Sequence, residues 1–132
     1  MKRFHDWPQR LAEHILSARE AKFRWGHFDC ALFAAGAIHA MTGTDLAADF
    51  RGKYHDEAGA RALFARAIAH AGGVLRLVDL GFAARGDLVL TNNGSTEPGL
   101  GIVGLDGNKA LCAGERGLSH IARAHWLRTW HV

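Results

Sequence analysis

The stretch Phe23-Arg-Trp-Gly-His-Phe-Asp-Cys30-Ala-Leu-Phe-Ala34 contains the start of the helix around which this chain is organised. We predict that the helix begins at Cys30, with Asp29 as its N-cap and Gly43 as its C-terminal stop. One face of the helix is apolar and the opposite face is hardly more polar, so the helix should be buried on most sides. The apolar residues that recur at the spacing of one helical face are Cys30, Phe33, Ala34, Ala37, Ile38 and Met41.

Cys30 lies in the first turn of this predicted helix. Unpaired backbone N–H groups and the positive end of the helix dipole favour a thiolate there, which predicts a lowered pKa and a nucleophilic sulfur. Buried cysteines also serve as small apolar packing residues. The residues around Cys30 leave both interpretations open.

The composition indicates one globular domain spanning residues 1–132. Of its 132 residues, 48% are hydrophobic, and the formal net charge is +3. No apolar run is long enough to span a bilayer and no signal peptide is evident, so we expect a protein made in a reducing cytoplasm. Two cysteines do not form a disulfide framework. A nucleic-acid-binding module would rest only on this mild basicity, and we do not expect one.

Two further helices are predicted. One precedes the helix that begins at Cys30, and the other follows the connecting segment after Gly43. The first covers residues 7–21, with Asp6 as N-cap and a proline in its first turn. The other begins at Asp56-Glu57 and is expected to stop at Gly72-Gly73.

The second half of the chain has the patterns of strands. Residues 75–80 fit a helix or a strand equally well, and residues 91–98 form a polar loop. Because helices come first and an antiparallel sheet second, with no βαβ alternation, the predicted class is α+β. The predicted strands are residues 88–90, residues 99–103 and 109–113 joined through Asp106-Gly107, and one within residues 126–132.

The order of these motifs resembles the NlpC/P60 branch of the papain-like cysteine hydrolases. In that family an Asp-Cys pair opens the central helix, and a Gly-Asp strand precedes the strand that carries the catalytic histidine. The chain is similar, more narrowly, to a family of small phage and prophage proteins without assigned function that are encoded among tail genes. The matching motifs are Trp25-Gly26, Asp29-Cys30, Arg51-Gly52, Tyr54, Gly86-Asp87, Leu100-Gly101-Ile102 and Trp130.

The resemblance implies a papain-type fold in which the helix from Cys30 packs on the C-terminal antiparallel sheet. It places Cys30 at the nucleophile, Gly99 at the catalytic histidine and Cys112 near the third, orienting residue. Cysteine–histidine catalysis needs an imidazole within hydrogen-bond reach of sulfur. Glycine cannot supply that group.

Two of the nine histidines are candidates to replace the missing base. His27 precedes Cys30 by three residues, and His120 follows the predicted hairpin and could fold back over the site. His39 is excluded, since nine residues along a helix span roughly 13 Å. The histidines interpreted as surface or terminal residues are His5, His14, His55, His125 and His131.

No metal or cofactor is expected. The chain lacks His-Glu-x-x-His, and neither Cys30 nor Cys112 belongs to a Cys-x-x-Cys pair.

From the resemblance we expect a component of the phage or prophage tail tip with impaired hydrolase chemistry and a structural or docking role. Such a protein is made in the bacterial cytoplasm and assembled into a tail. Its partners are other tail proteins, with peptidoglycan as a further candidate. The alternative is an active thiol-dependent peptidoglycan amidase or endopeptidase. In that alternative Cys30 is the nucleophile, His27 or His120 the base, and the backbone amide of Cys30 an oxyanion donor.

Overall fold

Three helices precede a six-stranded sheet in the computed structural model, which describes residues 1–92 and 98–132. The helices are α1 (Trp7–Glu20), α2 (Cys30–Thr42) and α3 (Glu57–Val74). The strands are β1 (Arg76–Val78), β2 (Leu88–Thr91), β3 (Gly99–Val103), β4 (Lys109–Gly114), β5 (Gly117–Ala122) and β6 (Trp126–His131). Single 3₁₀ turns cover Leu80–Phe82 and Arg123–His125. The polar loop predicted over residues 91–98 falls mainly on residues 93–97, which lie outside the described residues.

The sheet confirms the α+β class. Its strand order is β1-β6-β2-β3-β4-β5, and every neighbouring pair is antiparallel. The predicted hairpin is confirmed as well, because β3 and β4 pair through Ile102 with Leu111 and Val103 with Ala110. Gly107 in the connection has a φ of 76°, a conformation that glycine adopts without strain.

Helix α2 packs against the sheet as its apolar sequence predicts. The Asp29 carboxylate accepts a hydrogen bond from the Leu32 N–H, and Gly43 ends the helix at a φ of 80°. Phe33 and Ile38 share the main core with strand residues, including Leu100. The predicted caps and burial of this helix are therefore confirmed.

Asp6 is the N-cap residue of α1, as the sequence predicts, but it does not cap the helix through its side chain. Its side chain makes no capping hydrogen bond and instead accepts from Arg10 Nε at 2.8 Å. An ion pair with the residue one turn ahead competes for the same carboxylate oxygens. The helix itself forms as predicted.

Helix α3 runs through the glycine pair at which it was predicted to stop. It reaches Val74, and the following Leu75 is buried and donates its N–H to the Ala71 carbonyl oxygen at 2.8 Å. Each glycine within a helix costs about 1 kcal/mol relative to alanine, so the pair costs about 2 kcal/mol. Burial of Leu75 beyond the pair is large enough to offset that cost.

Strand β5 is absent from the sequence-based prediction. It is an edge strand with only one buried residue, so it lacks the clear alternation by which strands are recognised. Pairing with the whole length of β4 defines it instead.

His14 is not the surface residue that its sequence context predicts. Its ring stacks on Phe33 with centroids 5.2 Å apart, and its Nε2 lies 3.0 Å from the Phe33 carbonyl oxygen. Burial lowers the pKa of the imidazole. The neutral ring therefore joins α1 to α2 at the point where Gly36 permits close approach.

We expect Gly36→Ala to destabilise the protein by about 1–3 kcal/mol, although alanine normally favours a helix over glycine. A Cβ at this position would lie 2.6 Å from His14 Cε1, and that ring is held by its stacking and its hydrogen bond. Urea unfolding of the variant measures the change. Gly72→Ala in α3 is the matched control, since its Cβ would meet nothing nearer than Trp130 Nε1 at 3.8 Å. A stability gain at both glycines would contradict the close contact with His14.

Candidate functional site

Cys30 is the first residue of α2 and lies in the wall of a cavity of about 300 Å³ between α2 and α3. The residue is partly exposed. Leu100 on β3 lines the same cavity, and its main chain hydrogen-bonds the thiol. The first turn of α2 and strand β3 therefore jointly position the sulfur.

The pKa of the Cys30 thiol is raised, which contradicts the lowering predicted from its place at a helix N-terminus. Burial of the sulfur is the largest cause, and the neighbouring Asp29 carboxylate acts in the same direction. Main-chain hydrogen bonds at Leu100, Ala31 and Cys30 itself oppose the shift but do not overcome it. Desolvation outweighs the helix dipole here, so the thiol is protonated at neutral pH.

The Asp29 carboxylate is the centre of a buried polar network beside Cys30. It is 1% exposed and accepts hydrogen bonds from the N–H groups of Gly26 and Leu32, each at 3.0 Å. The Tyr54 hydroxyl donates a third, at 2.5 Å. Burial and this contact raise the pKa of Tyr54, which keeps its hydroxyl protonated and able to donate. Asp29 thus caps α2 and fixes a segment 25 residues away.

Gly26 allows the segment before Cys30 to lie directly against the segment that carries Tyr54. Gly26 has a φ of 81°, and a Cβ there would lie 1.8 Å from the Tyr54 carbonyl oxygen. The Gly52 N–H donates to the Gly26 carbonyl oxygen at 2.9 Å. Arg51 makes two hydrogen bonds to Asp45 across the same turn. The Trp-Gly, Asp-Cys and Arg-Gly-x-Tyr motifs therefore meet in one structural unit.

The positions that the resemblance assigns to the histidine and the orienting residue also lie near Cys30. Gly99 immediately precedes Leu100, whose main chain contacts the thiol. A Cβ at Gly99 would point toward Thr91 Oγ1, at 3.8 Å, and that oxygen is 3.9 Å from Cys112 Sγ. Burial, with a contribution from nearby Cys30, raises the pKa of Cys112 to about 12. These positions offer a glycine, a hydroxyl and a neutral thiol in place of an imidazole.

Neither candidate base is brought to the Cys30 sulfur. His27 is exposed in the turn before α2, and His120 is exposed on the edge strand β5, paired with Leu111. Neither lines the cavity or affects the pKa of Cys30. Within residues 1–92 and 98–132, no histidine is hydrogen-bonded to this thiol.

Asp87 is a second buried polar centre, which the sequence analysis identified only as part of the Gly86-Asp87 motif. Its carboxylate is fully buried and accepts from Arg3 Nη2 at 2.9 Å, from the Val132 N–H at 3.2 Å and from the Ala84 N–H at 2.9 Å. His131 Nδ1 lies 3.1 Å from the same carboxylate. The Gly-Asp motif therefore joins both ends of the chain to the start of β2, which is a structural role.

The described part of the chain contains no cluster of three or more histidine, cysteine, aspartate or glutamate residues arranged to hold a metal ion. None of its helices combines the length and apolar character needed to cross a membrane.

We expect alkylation of Cys30 by iodoacetamide to be slower at pH 7 than that of the same thiol in the unfolded chain. The pKa of an ordinary cysteine is near 8.5. Because the pKa of Cys30 is raised in the folded protein, its thiolate fraction should still increase at pH values where an ordinary cysteine is already ionised. Peptide mapping by mass spectrometry measures Cys30 separately from Cys112, and protein in denaturant gives the reference profile. A folded profile that reaches its plateau at lower pH than the unfolded one would contradict the dominance of desolvation.

Comparison with known proteins gives a family but no activity. No curated protein matches the chain. The sequence pattern of a family described as "Domain of unknown function (DUF6950)" matches residues 2–132. That match spans the network around Asp29, the cavity and the centre at Asp87. The protein therefore belongs to the DUF6950 family.

Proposed function

We propose that this protein is a tail-tip component of a phage or prophage-derived tail, with a structural or docking role. Two features support the proposal. The motifs from Trp25-Gly26 to Trp130 resemble, in their order, those of small tail-associated proteins. The packing of a helix headed by Asp29-Cys30 on an antiparallel sheet is compatible with an NlpC/P60-like fold.

The observation that carries the non-hydrolytic role is the environment of the Cys30 thiol. Cleavage of an amide by a thiol needs a thiolate to attack and an acid to protonate the leaving amine. The raised pKa disfavours the first, and among the residues that the structure describes no imidazole lies beside the sulfur to supply the second. General acid–base assistance is commonly worth about 10²–10⁴-fold, so a hydrolase without it would be very slow.

The proposed role places the protein in an assembly. It is made in the bacterial cytoplasm and joins other tail proteins, with peptidoglycan as a candidate surface that the tail engages. In this role the networks at Asp29 and Asp87 keep the domain rigid, and recognition depends on its surface and cavity.

Complementation tests the role directly. A phage or prophage lacking its own copy of this gene is supplied with wild type or Cys30→Ala, and infectious particles are counted. We expect both proteins to restore particle numbers equally, because the thiol performs no chemistry. The Gly26→Ala variant, in which the fold is disrupted, is expected to fail. If the wild-type protein does not raise particle numbers above those of the phage or prophage that lacks the gene, the tail role is overturned.

An active thiol amidase is the second candidate, and the location of Cys30 at the head of α2 on a cavity wall favours it. The discriminating measurement is release of soluble peptide from purified cell wall, which we expect to be absent for wild type. Cys30→Ala, His27→Ala and His120→Ala are assayed beside it. Activity that is lost in Cys30→Ala and in one histidine variant would overturn the non-hydrolytic role and identify the base.

A further inference from the structure

The cavity between α2 and α3 has walls that are almost entirely apolar. Its volume of about 300 Å³ lies at the lower end of the range for small-molecule sites. At roughly 30 Å³ for each small group, it holds on the order of ten heavy atoms. The apolar side chains that face each other across it include Ala34, Ala35 and Ile38 of α2 and Leu63, Phe64 and Ala67 of α3.

Helix α3 covers this region without packing closely on it. Ala71 is its only buried residue, whereas Leu63, Phe64, Ala67 and Ile68 remain partly exposed. Asp56 caps the N-terminus of the helix by accepting from the Gly59 N–H, and Leu75, which follows its C-terminus, lies in the core. The middle of α3 therefore presents apolar surface whose dispersion contacts are incomplete.

The carboxylate, phenol and guanidinium groups in the cavity wall are already paired. Asp29 and Tyr54, both in its wall, are hydrogen-bonded to each other. Glu57 and Arg61 form an exposed ion pair at its solvent side. In the described residues no buried side-chain nitrogen or oxygen lacks a hydrogen bond. A saccharide or a peptide main chain entering the cavity would lose hydrogen bonds to water without replacing them, which disfavours such ligands.

We infer that this cavity binds a single flexible aliphatic chain, of the kind carried by a medium-length fatty acid. The aliphatic chain of the ligand lies between α2 and α3, and the polar head group of the ligand remains at the solvent side near Glu57 and Arg61. Apolar cavities bind apolar ligands because the ligand supplies dispersion contacts that the walls lack. The protonated Cys30 thiol in the wall behaves as a small apolar group and suits this ligand. The inference goes beyond the tail role and does not depend on it.

Calorimetric titration of the purified protein with decanoate and with decanol, both below their micellar concentrations, tests the inference. We expect saturable binding of one molecule of either compound, since the two share a chain and differ in head group. Butanol should bind at least ten-fold more weakly, because most of its possible contacts are missing. Absence of saturable binding of both long-chain compounds would overturn the inference.

A matched pair of variants locates the site. Ala67→Phe places a ring in the cavity and is expected to weaken decanoate binding at least ten-fold. Ala69→Phe makes the same change at an exposed position of α3 that does not line the cavity, and should bind as wild type does. Equal affinities for all three proteins, or an equal loss in both variants, would place any binding elsewhere and overturn the assignment.

Protection of Cys30 from alkylation gives a second readout. It also identifies the kind of molecule that carries the aliphatic chain. Bound decanoate should slow alkylation of Cys30 by iodoacetamide in wild type and in Ala69→Phe, and leave Ala67→Phe unaffected. The same protection by phosphatidylglycerol vesicles would assign the chain to a lipid, whereas protection by decanoate alone would assign it to a free fatty acid. Binding without protection in wild type would contradict a chain lying against Cys30. Particle counts in the complementation assay report on the tail role separately.

Discussion

Replacing Gly26 with alanine is expected to destabilise the folded chain by about 4 kcal/mol or more, the largest effect of any substitution considered for this protein. The new Cβ would lie 1.8 Å from the Tyr54 carbonyl oxygen, which belongs to the backbone and cannot rotate away. The φ of 81° adds strain for any residue other than glycine. Relief requires separating the segment before α2 from the segment that carries Tyr54. Urea unfolding followed by circular dichroism measures the loss.

Gly52→Ala is the matched control for this substitution. Gly52 also has a positive φ, 71°, but its Cβ would meet nothing within 4 Å. Only the backbone strain remains, so we expect a loss of about 1 kcal/mol. Similar losses at both glycines would show that strain, and not the approach to Tyr54, accounts for the effect of Gly26→Ala.

Removing the Asp29 carboxylate is expected to have the second-largest effect, about 3–5 kcal/mol for Asp29→Ala. The substitution leaves the Tyr54 hydroxyl and the N–H groups of Gly26 and Leu32 buried without their acceptor. Asp56→Ala removes a comparable N-cap on α3, but that residue is exposed and should lose only about 1 kcal/mol. Equal losses at both caps would contradict a special role for the buried network.

Asp29→Asn separates the charge of this residue from its size. Because the Asp29 carboxylate helps to raise the pKa of Cys30, its neutralisation should make Cys30 react faster with iodoacetamide at pH 7. The comparison is made on folded protein, at a denaturant concentration below the unfolding transition. An unchanged or slower reaction would contradict the electrostatic coupling between the two residues.

The sequence determined those elements whose signals are local. Asp29 and Gly43 mark the ends of α2 by their side-chain and backbone preferences, and the apolar residues between them require burial. Asp106-Gly107 indicates a hairpin because its residues suit the turn, and the strands on either side do pair. Each of these signals acts within a few residues, so it can be recognised before the fold is known.

The tertiary structure decided the properties of the site, which depend on residues far apart in the chain. Tyr54 reaches Asp29 across 25 residues, and Arg3 reaches Asp87 across 84. Patterns of single residues do not reveal such pairs. The same limit explains β5, which is defined by its pairing with β4, and His14, which stacks on Phe33 of α2.

Cys30 illustrates the difference most clearly. Its place at a helix N-terminus predicts a lowered pKa, since the helix dipole is a property of the local backbone. Its actual pKa is raised, because the sheet and the rest of the chain remove water from around the sulfur. Desolvation depends on everything that surrounds a group, and only the assembled fold establishes those surroundings.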